Sequence, residues 1–146
     1  MADGTDYPAM IVFVRARLHE DEAAALAPSP SRRRLEWVVD IDDHDQDQDP
    51  GEAPSYHVVS SGDVAGVCLG FGLERDTSGA VVAHIARHDP ARVLADVAAK
   101  RAVLDLCADV LPDRITSAAD MARGVIVALA CAFDQHPDFD PAWRDG

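Results

Sequence analysis

The sequence predicts an α+β domain, with three main helices packed with a small antiparallel sheet. Apolar residues recur at three- and four-residue spacing over about 10–27, 90–110 and 117–133, which is the period of a helix. Between the first and second of these segments lie short β-branched runs, LEWVVDI (35–41), YHVVSS (56–61) and VAGVCLGFGL (64–73), which read as strands. The chain has 146 residues, 48% of them hydrophobic but only 5% aromatic. That is enough for one core, built mainly from Ala, Val and Leu, so a single domain over 1–146 is expected.

Taken in order, residues 1–8 carry Gly, Asp and Pro without periodicity and are expected to fray. In the first helix Met10, Val14 and Leu18 recur at i, i+4 and i+8, with Ile11 and Ala25 on the same side. Arg15, His19 and Glu22 form one polar stripe, and Arg17 with Asp21 a second. Pro28 and Pro30 end this helix. The acidic stretch DDHDQDQDPGEAP (42–54) has nothing apolar beyond Ala53, so it reads as a mobile, solvated loop. Ser61-Gly62-Asp63 supplies a tight turn between the second and third strands, and Ser78-Gly79 closes the strand region.

Residues 80–88 supply two helical turns, and Asp89-Pro90 restarts the chain. An Asp accepts from the free N–H groups of a first turn, and Pro at the first helical position gives up a donor that would be orphaned anyway. The helix so opened runs to about Val110 and stops at Pro112. Val93, Val97, Leu104, Cys107 and Leu111 lie on one face, with Leu94 and Ala108 beside them. Asp96 precedes Lys100 by four, the favourable order for a helix pair. The last helix sets Ala118, Ala122, Val125, Ile126, Leu129, Ala130 and Phe133 over so wide an arc that burial on most sides is expected.

The formal net charge is −13, and nine carboxylates with no Lys or Arg fall between Glu36 and Asp63. A surface of this sign argues against direct nucleic-acid binding, since phosphate contacts need Lys and Arg. No uninterrupted apolar run is long enough to span a membrane, and no export signal is read at the N-terminus. Cys68, Cys107 and Cys131 are odd in number, widely spaced and set among apolar residues. They read as small buried hydrophobes of a cytoplasmic protein, monomeric or a small homo-oligomer.

Three phrases, HIARHDPARVLADVAAKR, FVRARLHEDEAAA and ALACAFDQHPDFDPAW, together resemble an actinobacterial and actinophage domain-of-unknown-function family, family 6221. The resemblance covers roughly the first quarter and the last half of the chain, and residues 35–79 look private to this member. His19 stands where the family pattern has an acidic residue, and Cys131 and Phe133 vary its aromatic helix end. The resemblance implies a cytoplasmic setting in an actinobacterium or its phage, and assigns no catalytic residue.

His84 and His88, four apart, aim two imidazoles at one point as metal pairs do, with Asp89 adjacent and Asp134 and His136 available if the tail folds back. No Glu lies between the two histidines to serve as the base of a zinc hydrolase, and the plainer reading is a structured helix end. Glu20, Asp21 and Glu22 facing Asp96, Asp105 and Asp109 could hold magnesium, but the interposed Arg and Lys favour a solvated face. Asp45, Asp47 and Asp49 imitate a calcium loop, yet Pro50 and Tyr56 stand where Gly and a bidentate Glu are required, which excludes an EF-hand. Arg15, Arg17, Arg87 and Arg92 are candidates for an anionic ligand or, more simply, for pairing with Glu20, Asp21, Asp89 and Asp96.

No nucleophile elbow and no Gly-rich phosphate loop is present. The sequence therefore points first to a non-catalytic accessory protein that binds an unidentified protein partner, with no cofactor. The alternative is a metal-dependent enzyme using a divalent ion on His84, His88 and His136. A further alternative is a nucleic-acid mimic built on the acidic 36–63 segment, which would require its carboxylates to be held rigidly.

Overall fold

The computed structural model describes residues 6–27, 37–42, 55–60, 75–112 and 117–145. In chain order these form helix α1 (Tyr7–Leu26), strands β1 (Trp37–Asp42) and β2 (Ser55–Ser60), then helices α2 (Arg75–Arg87), α3 (Pro90–Val110) and α4 (Ser117–Cys131). A 3₁₀ turn over Pro141–Asp145 follows. The described chain is mostly helical, and this corrects the α+β expectation. Its strands make a lone antiparallel ribbon, in register from Trp37 opposite Ser60 to Asp42 opposite Ser55. Two strands are too few to form a sheet layer by themselves. The expected third strand, 64–73, and the acidic loop, 43–54, lie outside the described residues.

A second correction concerns Ser78-Gly79, expected to close the strand region and found inside α2. A glycine costs a helix interior only about 1 kcal/mol, which packing overrides. The packing is visible in α2, which lies against both strands and buries Val82 completely.

Aspartates start α1, α3 and the closing 3₁₀ turn. Asp6 caps α1: the Ala9 N–H donates to Asp6 Oδ1 at 3.0 Å, so the helix begins three residues before Met10 and cuts into the stretch expected to fray. Asp89 caps α3 in the same way, accepting from the Arg92 N–H at 2.7 Å, and its second oxygen accepts from the Trp37 N–H at 3.2 Å. One carboxylate thus closes the first turn of α3 and holds the start of β1. Asp140 opens the 3₁₀ turn, its side chain accepting from the Ala142 N–H at 2.9 Å, with Pro141 next in sequence.

The Cα packing divides the chain into two compact units, Met1–Ala23 with Ala95–Gly146, and Ala24–Leu94. In the first, Met10, Val14, Leu18, Leu104, Ala119, Ile126 and Ala130 are fully shielded from solvent, and Cys107 is buried beside them in sequence register on α3. The α1 stripe is the one expected. That of α4 is narrower: Ala119, Ala122, Ile126 and Ala130 are buried, whereas Met121 is 72% exposed. Its apolar surface is wide because alanine is the cheapest residue in a helix, not because all sides are covered.

Three outcomes test this account. Gly124 sits exposed within α4, and a Cβ there would meet nothing within 4 Å. Gly124→Ala is therefore expected to raise unfolding free energy by about 0.5–1 kcal/mol in urea titrations, and an unchanged or lower midpoint would count against the helix assignment. Asp6→Ala is expected to cost about 1 kcal/mol, and Asp89→Ala more, because it also frees the Trp37 amide. Burial pushes the Cys107 thiol up from its ordinary value. Peptide mapping after alkylation at neutral pH should find Cys107 unmodified in the native protein and modified after denaturation.

Candidate functional site

The C-terminal segment after α4 shows how the first unit is finished. Beyond Cys131 the chain continues in three-residue turns: Phe133, Asp134, His136 and Phe139 each donate an N–H to the carbonyl three back, at 2.9–3.2 Å. These turns bring the tail onto α1. The Phe13 ring meets Trp143 at 5.2 Å, Phe139 at 6.0 Å and Phe133 at 6.4 Å between centroids, all edge-on. Phe139 and Trp143 pack edge-on against each other at 5.5 Å and are themselves buried. Edge-to-face pairs of this kind add about 0.5–1.5 kcal/mol each beyond the area they bury.

Arg17, expected on a polar stripe, is only 8% exposed. Its guanidinium lies 5.2 Å from the Phe13 centroid and against the His136 ring, with Glu20 Oε1 at 2.8 Å and Asp138 Oδ2 at 3.5 Å. Its Nε is buried without an acceptor. The Asp138 N–H donates to His136 Nδ1 at 3.1 Å, so that nitrogen is occupied as an acceptor. Arg15, by contrast, is exposed and pairs with Asp105 at 2.8 Å. Exposed pairs contribute at most about 1 kcal/mol.

On the outer side of α1, Pro8, Val12 and Ala16 are exposed at i, i+4 and i+8, and Val12 is 67% exposed. Val12 stands between two shallow hollows. Pro8, Phe13, Ala16, Arg17, Asp138 and Trp143 line one with it; Ile11, Arg15, Ala108, Leu111 and Pro112 line the other. In the sequence this stripe merges with the Met10–Val14–Leu18 face, because Ile11 and Phe13 link the two into one nearly continuous apolar run. On other helices of the unit Leu106 is 68% exposed and Met121 72%.

In the second unit His84 and His88 are both exposed, with ring centroids 4.5 Å apart. Asp89, the proposed neighbour ligand, has both oxygens engaged by backbone N–H groups. Asp134 accepts from Arg144 at 2.8 Å and from Gln135 at 3.1 Å. Among the described residues no group of three or more His, Cys, Asp or Glu is gathered to hold a metal ion. Four of the six candidate magnesium carboxylates are paired instead: Glu22 with Arg101 at 2.9 Å, Asp96 with Lys100 at 2.6 Å, Glu20 with Arg17 and Asp105 with Arg15. The Glu22 partnership raises the affinity of the Arg101 guanidinium for its proton. The four candidate arginines divide between the units, Arg15 and Arg17 in the first, Arg87 and Arg92 in the second.

The balance of charge and packing at Arg17 can be separated. Arg17→Met keeps an unbranched stem over Phe13 and removes the buried Nε, so its unfolding free energy should stay within about 1 kcal/mol of the parent. Arg17→Ala leaves a gap against the aromatic rings and should cost about 2–4 kcal/mol. Equal losses in the two variants would show that the ionic contacts, not the stem, hold the tail.

Neither a search of curated proteins nor one of solved structures gives a match to this chain. A family model does match, over residues 8–145, which covers most of both units. The chain belongs to that family, a family of unknown function, DUF6221.

Proposed function

We propose that this protein is a non-catalytic accessory factor that works by holding another protein against the outer face of α1. The observation that carries the reading is the exposed stripe Pro8–Val12–Ala16 with a hollow on each side. A helix apolar on two opposite faces uses one for its own core and leaves the second to be covered. The occupant that fits is a partner whose apolar ridge enters the hollows and whose Lys or Arg residues surround it. Asp6 and Asp138, both exposed in the wall of one hollow, are placed to meet such a rim. The setting we propose is the cytoplasm of an actinobacterium or its phage. No described helix is long and apolar enough to cross a membrane.

The test pairs two baits. Tagged wild-type protein and Val12→Asp are used to recover proteins from cells that encode this chain, after circular dichroism has shown that the variant keeps its helices. A basic protein retained by the wild type, lost with Val12→Asp and released as salt rises is the expected result. Identical recoveries by both baits would overturn the reading. So would turnover of a small substrate that stops on chelation, which would favour the metal-dependent alternative.

A further inference from the structure

The geometry points to His84 and His88 as an open two-imidazole site for a borderline divalent transition metal such as Zn²⁺, Ni²⁺ or Cu²⁺. Water, or a donor from outside the chain, fills the remaining coordination positions. The proposal is independent of the α1 docking face, which lies in the other unit.

Imidazole is a preferred ligand of these ions, and the two rings are already close to chelating distance. A metal about 2.0–2.1 Å from a ring nitrogen, on the line out of the ring, sits about 3.2 Å from that ring's centroid. Two rings bound at an angle of about 90–110° then have centroids about 4.5–5.2 Å apart. The observed separation is 4.5 Å, with the ring planes inclined at 49°. That separation sits at the short end of the range. The backbone fixes the pair: the His88 N–H donates to the His84 carbonyl at 3.2 Å and to the Ile85 carbonyl at 3.1 Å, so both residues belong to one helical turn.

Three further features suit a cation. Both side chains are exposed, and among the described residues neither ring has a side-chain partner other than the opposing imidazole. The rings stand at the C-terminal end of α2, the negative end of its dipole. Asp89, one residue on, is held by its two backbone donors and so neither blocks nor joins the pair. Arg87 is the opposing charge on this turn and is exposed, free to extend into solvent. With two protein ligands the site is incomplete by itself, unlike closed structural zinc centres, so the ion it holds stays exchangeable.

The experiment is a calorimetric titration of the full-length protein with Ni²⁺ and, separately, Zn²⁺. One equivalent is expected to bind the wild type. His84→Ala and His88→Ala should each weaken that binding by roughly 10²-fold, as expected when one of two linked ligands is lost. His19→Ala, an exposed histidine on α1, serves as the control and should bind as the wild type does. Saturating metal should also raise the melting temperature of the wild type and leave that of both variants unchanged. Since both side chains are exposed, circular dichroism of the variants should match the parent. Binding that survives in both variants, or no binding to the wild type at millimolar metal, overturns the proposal.

Discussion

Phe13 is the residue through which the first unit is completed. Its ring touches Phe133, His136, Phe139 and Trp143 from the tail, and carries the Arg17 guanidinium. A chain with so few aromatics has spent several of them on one contact. The consequence is that thirteen-odd residues with little regular structure are ordered by rings rather than by a helix, each ring pair adding on the order of 1 kcal/mol. Arg17 follows from the same contact. A guanidinium is tolerated at this depth because its flat face lies on a ring while Glu20 and Asp138, both at the surface, neutralise it. The unpartnered Nε is the residual cost, and the packed stem offsets it.

The two faces of α1 come from the same composition. Met10, Val14 and Leu18 bury completely, while Pro8, Val12 and Ala16 on the opposite face remain in water between two hollows. The hollows exist because the flanking segments, the end of α3 on one side and the tail on the other, cover only the edges of the helix. An enzyme would need polar groups converging in such a hollow. Here the walls are mostly apolar, and the charges within them are paired or at the rim. That contrast is what supports the docking reading proposed for this face over one that acts on a small molecule.

Local chemistry made some elements readable and left others obscure. Asp89-Pro90 was legible because an N-cap and its proline act within one turn, and the structure adds only that the spare oxygen holds Trp37. Asp6 carries the same chemistry, yet the residues after it, Tyr7 and Pro8, give no periodic signal by themselves. The histidine pair was legible from its spacing alone. Arg17 was not: on α1 it falls beside Asp21, which reads as a solvated stripe, and nothing nearby announces that Phe139 and Trp143 will cover it. Those two sit four apart, after Asp138 and around Asp140-Pro141, so the start of a short turn was present in the sequence. Its burial was not.

By itself the sequence determined α1, α3 and α4, the Asp89 cap and the inner face of α1, because hydrogen bonds within a turn and the 3.6-residue period depend only on neighbours in the chain. It also determined the sign of the surface and, through its motifs, the family. Tertiary structure alone decided the class, since whether β-branched runs become a layer or a lone ribbon depends on partners distant in sequence. It decided which cation is buried, which carboxylates are paired with arginines, and which apolar residues remain exposed. Those outcomes rest on contacts of α1 with α3 and with a tail more than a hundred residues later, and no local pattern encodes distances of that kind.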